Sequence, residues 1–331
     1  MTFSLVVCTY MRPIALQKLL NTVTLQVLYP DEILIIDGST NDDTARMLKT
    51  NAFKNLKYYK VNDNQRGLTK QRNFGISKVS ERINVVCFLD DDITLDTSYF
   101  ENLIGTYNTY PKALGVGGYI TNEVIWERSN ATSNSNYYDF DGWRRPEPLR
   151  FKIREIFGLN PDALPGVLPT FSHMRAIGFL PPSGKVYPVE LFMGGVASYK
   201  MSVFKTLSFS TYFEGYGLYE DADFCLRLSK LGQLYVNTAA VCEHHHEIHG
   251  RPNTYKYGKM IIRNGWYIWR VKYNNPNFKS RLKWHLTAFL LLVLGALGGL
   301  KSKNKNLELQ EALGRFVGWC SLIGNKPKIE K

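Results

Sequence analysis

Three consecutive carboxylates, Asp90-Asp91-Asp92, follow directly on the apolar run at residues 85–89. At the end of a buried strand they repel one another, and burying them together is costly without a cation. Hard divalent ions such as Mg2+ or Mn2+ accept oxygen ligands of this kind and still leave positions for substrate phosphates. On an extended segment Asp90 and Asp92 point one way and Asp91 the other, so the first and third are the expected metal ligands. The alternative is a solvated acidic turn capping the next helix. Far along the chain, Glu220-Asp221-Ala222-Asp223 precedes a helical pattern at residues 224–231. Alone, this cluster reads as an acidic first turn matched to the helix dipole. Taken with the first, it offers a second acidic site, where a carboxylate could accept a proton while a metal holds a diphosphate elsewhere. His244, His245, His246 and His249, with Glu243 and Glu247, invite a zinc reading. Their spacing fits a closed tetrahedral site poorly, and His245 would share a face with His249 only on a helix.

The elements that must position these groups are legible as periodic segments. Residues 3–8, 32–36 and 83–89 are short runs rich in Val and Ile, as buried parallel strands are. Between them, residues 14–27 and 42–48 carry helical patterns. Strand and helix in alternation predict a doubly wound sheet, whose ligands bind beyond the carboxyl ends of the strands. From about residue 119 to 189 the periodicity weakens into irregular insertions and short strands. Residues 130–136 read as an exposed polar loop, and the aromatic insertion at 137–143 as packed or acceptor-binding. Asn130-Ala131-Thr132 is a formal glycosylation acceptor, without meaning in a cytosolic chain. A strand pattern resumes at 233–241.

With 331 residues and 44% hydrophobic content, the chain is expected to bury a sizeable core. Five cysteines without a paired spacing fit a reducing compartment, and the first residues read as a strand rather than a secretion leader. The net charge of +12 is concentrated after residue 250, where 16 basic residues face three acidic ones, whereas the preceding body is nearly neutral. Residues 286–300 are almost wholly apolar, with Lys279, Arg281 and Lys283 before them and Lys301, Lys303 and Lys305 after. That run is shorter than the roughly 20 residues needed to span a bilayer. It predicts a membrane-surface or re-entrant helix, with a buried packing helix as the alternative. Basic charge joined to a continuous apolar run argues for anionic lipid rather than nucleic acid. Residues 309–320 add an amphipathic helical pattern.

Several ordered segments carry a resemblance. Val6-Val7-Cys8-Thr9-Tyr10-Met11-Arg12-Pro13, the run Ile35-Ile36-Asp37-Gly38-Ser39-Thr40-Asn41-Asp42-Asp43-Thr44, Gly67 with Gln71-Arg72-Asn73-Phe74-Gly75, Asp90-Asp91-Asp92, Gly194-Gly195 and Glu220-Asp221 occur in order. From about residue 5 to 246 the sequence resembles the inverting, GT-A-fold glycosyltransferases of family 2. The resemblance implies a GT-A α/β fold: a doubly wound mixed sheet flanked by helices, here with a C-terminal helical, membrane-associated extension. It implies a nucleotide-sugar half at 1–118, an acceptor and catalytic-base half at 119–250, and an extension at 251–331. Thr9, Tyr10, Arg12, Asp37, Gly67, Arg72, Asp90, Asp91, Gly194 and Gly195 are the implied donor-binding residues. Asp221, with Glu220, would form the catalytic pair, and Asp90 and Asp92 the Mn2+ or Mg2+ site, joined by His244 or alternatively His246. The motif at Asp37-Gly38 departs from relatives that carry two acids there. The implied reaction is inverting transfer of a sugar from a UDP- or dTDP-sugar to a hydroxyl of a glycan or lipid-linked acceptor. Its setting would be cell-surface polysaccharide synthesis at the cytoplasmic membrane face. The alternatives are a nucleotidyltransferase of similar fold and a non-catalytic nucleotide- or glycan-binding protein.

Overall fold

The computed structural model describes residues 1–130, 135–246 and 252–329. Ala131 and Thr132 of the glycosylation tripeptide, and Glu247 and His249 of the histidine tract, lie outside the described residues. The chain divides into two compact units, Met1–Ile125 with Leu180–Gly250, and Trp126–Phe179 with Arg251–Lys331.

Along the chain run β1 (Phe3–Thr9), α1 (Pro13–Thr24), β2 (Glu32–Asp37), α2 (Asp43–Thr50), β3 (Leu56–Lys60), α3 (Leu68–Ile76), β4 (Val85–Asp90), β5 (Ile93–Leu95), α4 (Tyr99–Thr109) and β6 (Gly115–Ile120). There follow β7 (Glu127–Arg128), β8 (Tyr137–Phe140), β9 (Trp143–Pro146), α5 (Leu149–Ile156), β10 (Val186–Val189), β11 (Val196–Lys200), α6 (Glu220–Leu228) and β12 (Leu234–His244). The last three are α7 (Thr254–Lys272), α8 (Phe278–Lys301) and α9 (Lys305–Gly324).

Among the described residues, nine strands of the first unit form one sheet in the order β10-β12-β6-β11-β4-β1-β2-β3, with β5 paired to β12. The sheet is mixed: β1 to β4 are parallel neighbours, whereas β11 runs antiparallel to both β4 and β6. Alternation along each strand sends side chains to two faces. Phe3, Leu5 and Val7, with Ile33, Ile35, Cys87 and Leu89, pack against Leu16, Leu19 and Leu20 of α1 and Phe100, Leu103 and Tyr107 of α4. On the other face Val6 and Ile36 meet α3, and Phe88 joins an aromatic cluster of Tyr199, Phe204, Phe209 and Phe224. Each such side chain contributes about 1.5–3 kcal/mol by leaving water.

Register carries the acidic groups to one end of this sheet. Thr9 is opposite Asp37, and Cys8 is opposite Asp90. Because β11 runs antiparallel to β4, the residues that precede it, Gly194 and Gly195, arrive where β4 ends, and the Asp90 N–H donates to the Gly195 carbonyl at 3.0 Å. The antiparallel pairing of β12 with β5 sets His244 opposite Ile93, beside Asp92.

In the second unit β7, β9 and β8 form a small antiparallel sheet. Its β8–β9 hairpin turns on Asp141-Gly142, both with positive φ (50° and 76°), as a two-residue turn requires. The sequence reading gives irregular insertions and short strands here without placing the hairpin, because strands of four residues carry almost no period-2 signal. The Arg175 guanidinium lies 4.3 Å from the Tyr138 ring and 4.2 Å from the Phe151 ring, and is bidentate to Glu147 at 2.8 and 2.9 Å. Trp266, Trp269 and Trp284 form the aromatic core of the helices. Helix α8 is 24 residues long, and its stretch Phe278–Leu300 is long and apolar enough to cross a membrane by length and composition. It exceeds the apolar run read from sequence because Asn277 caps it a full two turns earlier, its side chain accepting from the Ser280 N–H at 2.8 Å.

Helices α7 and α9 touch backbone to backbone. A Cβ at Gly314 would collide with the Tyr255 carbonyl, and one at Gly258 with the Glu311 carbonyl. Gly314→Val is therefore expected to cost about 3 kcal/mol in urea unfolding, because neither backbone can yield. Gly298→Ala, which faces open space, should change stability by less than about 1 kcal/mol.

Candidate active site

Arg72, on α3, is buried with only 3% of its side chain exposed, beside Glu220 with 4%. Its Nη1 donates to Glu220 Oε1, and its Nη2 lies 3.6 Å from Asp90 Oδ1. The guanidinium rests 5.4 Å from the Phe88 ring and 5.3 Å from that of Phe209. Burial lifts the Glu220 carboxyl above the ordinary Glu range; Arg72 opposes this, and Asp221 and Asp90 add to it.

The three aspartates go different ways. Asp91 accepts from Thr9 Oγ1 at 2.7 Å and from Arg12 Nη1 at 3.1 Å, and burial raises it to about 6 against the pull of Arg12 and Thr9. Asp92 Oδ1 is 3.2 Å from His244 Nε2, and its Oδ2 is 3.7 Å from Arg12 Nη1. Asp90 is half-exposed; desolvation raises it, offset by Arg72 and reinforced by Asp92. Asp90, Asp92 and His244 each offer one ligand atom, all within 4.8 Å of one another. Two carboxylates and an imidazole fit a hard or borderline divalent ion such as Mg2+ or Mn2+ with positions left open.

His244 is held from behind by a residue the sequence reading does not name. Glu123 Oε1 is 3.4 Å from His244 Nδ1 and 3.0 Å from His246 Nε2, while the Asn122 amide brackets the His244 backbone at 2.9 and 3.0 Å. Nothing in the spacing around Glu123 marks it; only the parallel pairing of β6 with β12 brings it here. His245 faces away, 2.8 Å from Thr94 Oγ1.

Across the Gly194–Gly195 turn lies Asp221. Its Oδ2 accepts the Gly194 N–H at 2.9 Å, and its Oδ1 the Ala222 N–H at 2.7 Å. A Cβ on Gly194 would press on Arg72, Glu220 and Asp221, and one on Gly195 on Asp90, so both positions admit no side chain. Helix α6 begins at Glu220, earlier than the apolar pattern indicates, so the cluster is at once a first helical turn and a lining of the site.

Asp37 is fully buried; its carboxylate accepts from the Ser39 N–H at 2.8 Å and the Tyr58 hydroxyl at 2.9 Å, shaping the turn after β2. Tyr10 is exposed, with Arg66 6.0 Å from its ring. The Gly67 N–H donates to Gln71 Oε1 at 3.2 Å, and Gln71 Nε2 donates to the carbonyls of Thr9 at 3.2 Å and Ile36 at 2.8 Å. Gln71, Arg66 and Tyr58 thus organise this end of the sheet, although the sequence reading assigns them no role; only Gln71 stood within a recognised motif.

The family model for glycosyl transferase family 2 matches residues 4–168. That part of the chain belongs to glycosyl transferase family 2. The chain is 29% identical over 127 residues to the glucosyl-dolichyl phosphate glucuronosyltransferase of Haloferax volcanii, a match covering 38% of this chain and 40% of the relative's length. The fold is that of the mannosyltransferase PcManGT from Pyrobaculum calidifontis, solved with GDP-Man and Mn2+, at TM-score 0.58 and 13% identity over 98% of this chain and 88% of that one. It is also similar to S. aureus TarS, at TM-score 0.50 and 17% identity over 96% of this chain and 49% of that one. The chain therefore has a GT-A fold, with an apolar helix, α8, in its second unit. Gly194, Gly195, Glu220, Asp221 and His244 lie beyond the family match.

Two outcomes follow from the geometry. Burial alone would lower the His244 imidazole, but its hydrogen bonds and charges from Asp92 and Glu123 outweigh that and raise it to about 9. Ion binding must displace that proton, so Mn2+ affinity, measured by calorimetry, should climb by up to about tenfold per pH unit as the pH rises toward about 9 and level off above it. Glu220→Gln leaves Arg72 buried without its main counter-charge and should lower unfolding stability by about 3 kcal/mol.

Proposed function

We propose that the chain transfers a sugar, with inversion, from a nucleotide-diphosphate donor to a hydroxyl of a glycan or lipid-linked acceptor. The supporting observation is the placing of Asp221 and the Asp90–Asp92–His244 group on either side of the Gly194–Gly195 turn. Inversion needs a base opposite the leaving group, and two acidic sites separated by a turn without side chains leave room for a sugar between them.

Asp221 is the base in this reading. Two backbone N–H groups fix its carboxylate, which keeps lone pairs for an incoming hydroxyl proton. Glu220, sealed against Arg72, positions the start of α6 rather than meeting substrate. A Mg2+ or Mn2+ ion on Asp90, Asp92 and His244 would supply positive charge against the departing diphosphate. Thr9, Tyr10 and Arg12, with the turn organised by Asp37, Gln71 and Gly67, form the nucleotide end of the site.

A UDP- or dTDP-sugar donor and a role in cell-surface polysaccharide synthesis complete the proposal. The lipid-linked acceptor class draws support from the Haloferax relative, whose name specifies a glucosyl-dolichyl phosphate. Contact with the membrane's cytoplasmic face draws support from the second unit, where Leu286 and Phe289 of α8 and Leu313 and Phe316 of α9 are each about half exposed in a strongly basic segment.

Asp221→Asn should lower transfer by about 10^2–10^4-fold. A Mn2+-dependent thermal shift with the cognate nucleotide sugar should persist in the variant, because the change is isosteric and Asp221 is not one of the metal ligands. Full activity in that variant would remove Asp221 from its assigned role.

A further inference from the structure

A cavity of about 300 Å3 in the second unit is lined by His285, Trp319, Leu322, Ile323 and Lys326. It has no part in the chemistry described above. Trp319 Nε1 donates to His285 Nδ1 at 3.0 Å. An indole N–H only donates, so Nδ1 is the acceptor and the proton of the neutral imidazole sits on Nε2. The ring is thereby set as a hydrogen-bond donor. Lys326 supplies an ammonium group 5.9 Å from the Trp266 ring, and the segment carrying it is tied down where Arg263 Nη1 donates to the Asn325 carbonyl and to Ser321 Oγ, each at 2.7 Å. Among the described residues, none that line it is acidic. An N–H donor and a cation without an opposing carboxylate select an anion.

The rest of the lining is apolar, and an apolar side chain of α8 adjoins it. Ile323 is 86% exposed, and Phe289, half-exposed on α8, has its ring 5.7 Å from that of Trp319. His285 also stands where α8 changes character, between the basic residues Lys279, Arg281 and Lys283 and the apolar run at 286–300. That sequence of basic, aromatic and apolar groups is the order met on passing from lipid headgroups to acyl chains. A soluble phosphate would satisfy the two polar groups but leave the apolar lining unused.

We infer that this cavity seats the phosphate headgroup of one anionic membrane lipid between His285 and Lys326, its chain running along Trp319 and Phe289. The inference rests on the proposed membrane contact and adds to it a single headgroup position.

The test uses the full chain with vesicles of phosphatidylcholine, or of phosphatidylcholine with phosphatidylglycerol, either lipid carrying brominated chains that quench nearby tryptophan. Brominated phosphatidylglycerol is expected to quench more than brominated phosphatidylcholine, and Trp319→Phe to reduce the difference, Trp266 and Trp284 remaining beside His285. Lys326→Ala should weaken that specific quenching about tenfold, the scale of one charge-assisted hydrogen bond. Lys328→Ala, which removes the same charge two residues on, should leave it nearly intact. Equal effects of the two lysine substitutions would show diffuse attraction and overturn the headgroup site, while sedimentation with the anionic vesicles would still uphold membrane contact. Absence of sedimentation would remove the membrane reading and the site together. Suppression of the quenching by inorganic phosphate at equal phosphate concentration would reassign the cavity to a soluble anion.

Discussion

The acidic end of the sheet depends on one buried cation. Arg72 reaches from α3 to Glu220 at the start of α6 and to Asp90 at the end of β4, so three segments far apart in sequence share a single charge. Its flat guanidinium packs against the rings of Phe88 and Phe209, which a lysine ammonium could not match in shape or donor geometry. Without that charge, the carboxylates of β4 and α6 would repel one another in a poorly solvated place. The Gly194–Gly195 turn crosses immediately beside this ion pair, where any Cβ would dislodge Arg72 or Asp90.

Neutralising some acids while leaving others open divides the labour among them. Asp91 and Glu220 are enclosed and matched by Arg12 and Arg72. Asp90, Asp92 and His244 converge instead, with Glu123 supporting the imidazole from its other nitrogen. A carboxylate behind a ligating histidine fixes its orientation and strengthens it as a donor, a pattern common around protein-bound metals. Asp221 is half-buried, and each of its two carboxylate oxygens accepts a backbone N–H.

The second unit follows different physics. Its helices approach closely through glycines, pack three tryptophans inward, and leave half-exposed apolar side chains beside many lysines and arginines. Such a surface gains little from water and much from a boundary between charge and hydrocarbon. The family match ends at residue 168, so it covers few of these residues.

Much of the GT-A fold was written in the sequence, because buried parallel strands are nearly continuous runs of Val, Ile and Leu, and chemistry follows directly at their ends. Asp90-Asp91-Asp92 and Glu220-Asp221 were visible for that reason: clustered like charges are unusual enough to signal a partner. What the sequence left open depended on register and on contacts between distant segments. Glu123 meets His244 only through the pairing of β6 with β12, and which acids are sealed depends on where Arg12 and Arg72 reach. The hairpin at Asp141-Gly142 and the true length of α8 escaped because four-residue strands carry no period, and because a helix continues through polar residues until a cap stops it. Local composition decides which segments must be buried and which residues carry charge. Only the folded chain decides which charges face each other, since electrostatic energy depends on distances that sequence separation does not encode.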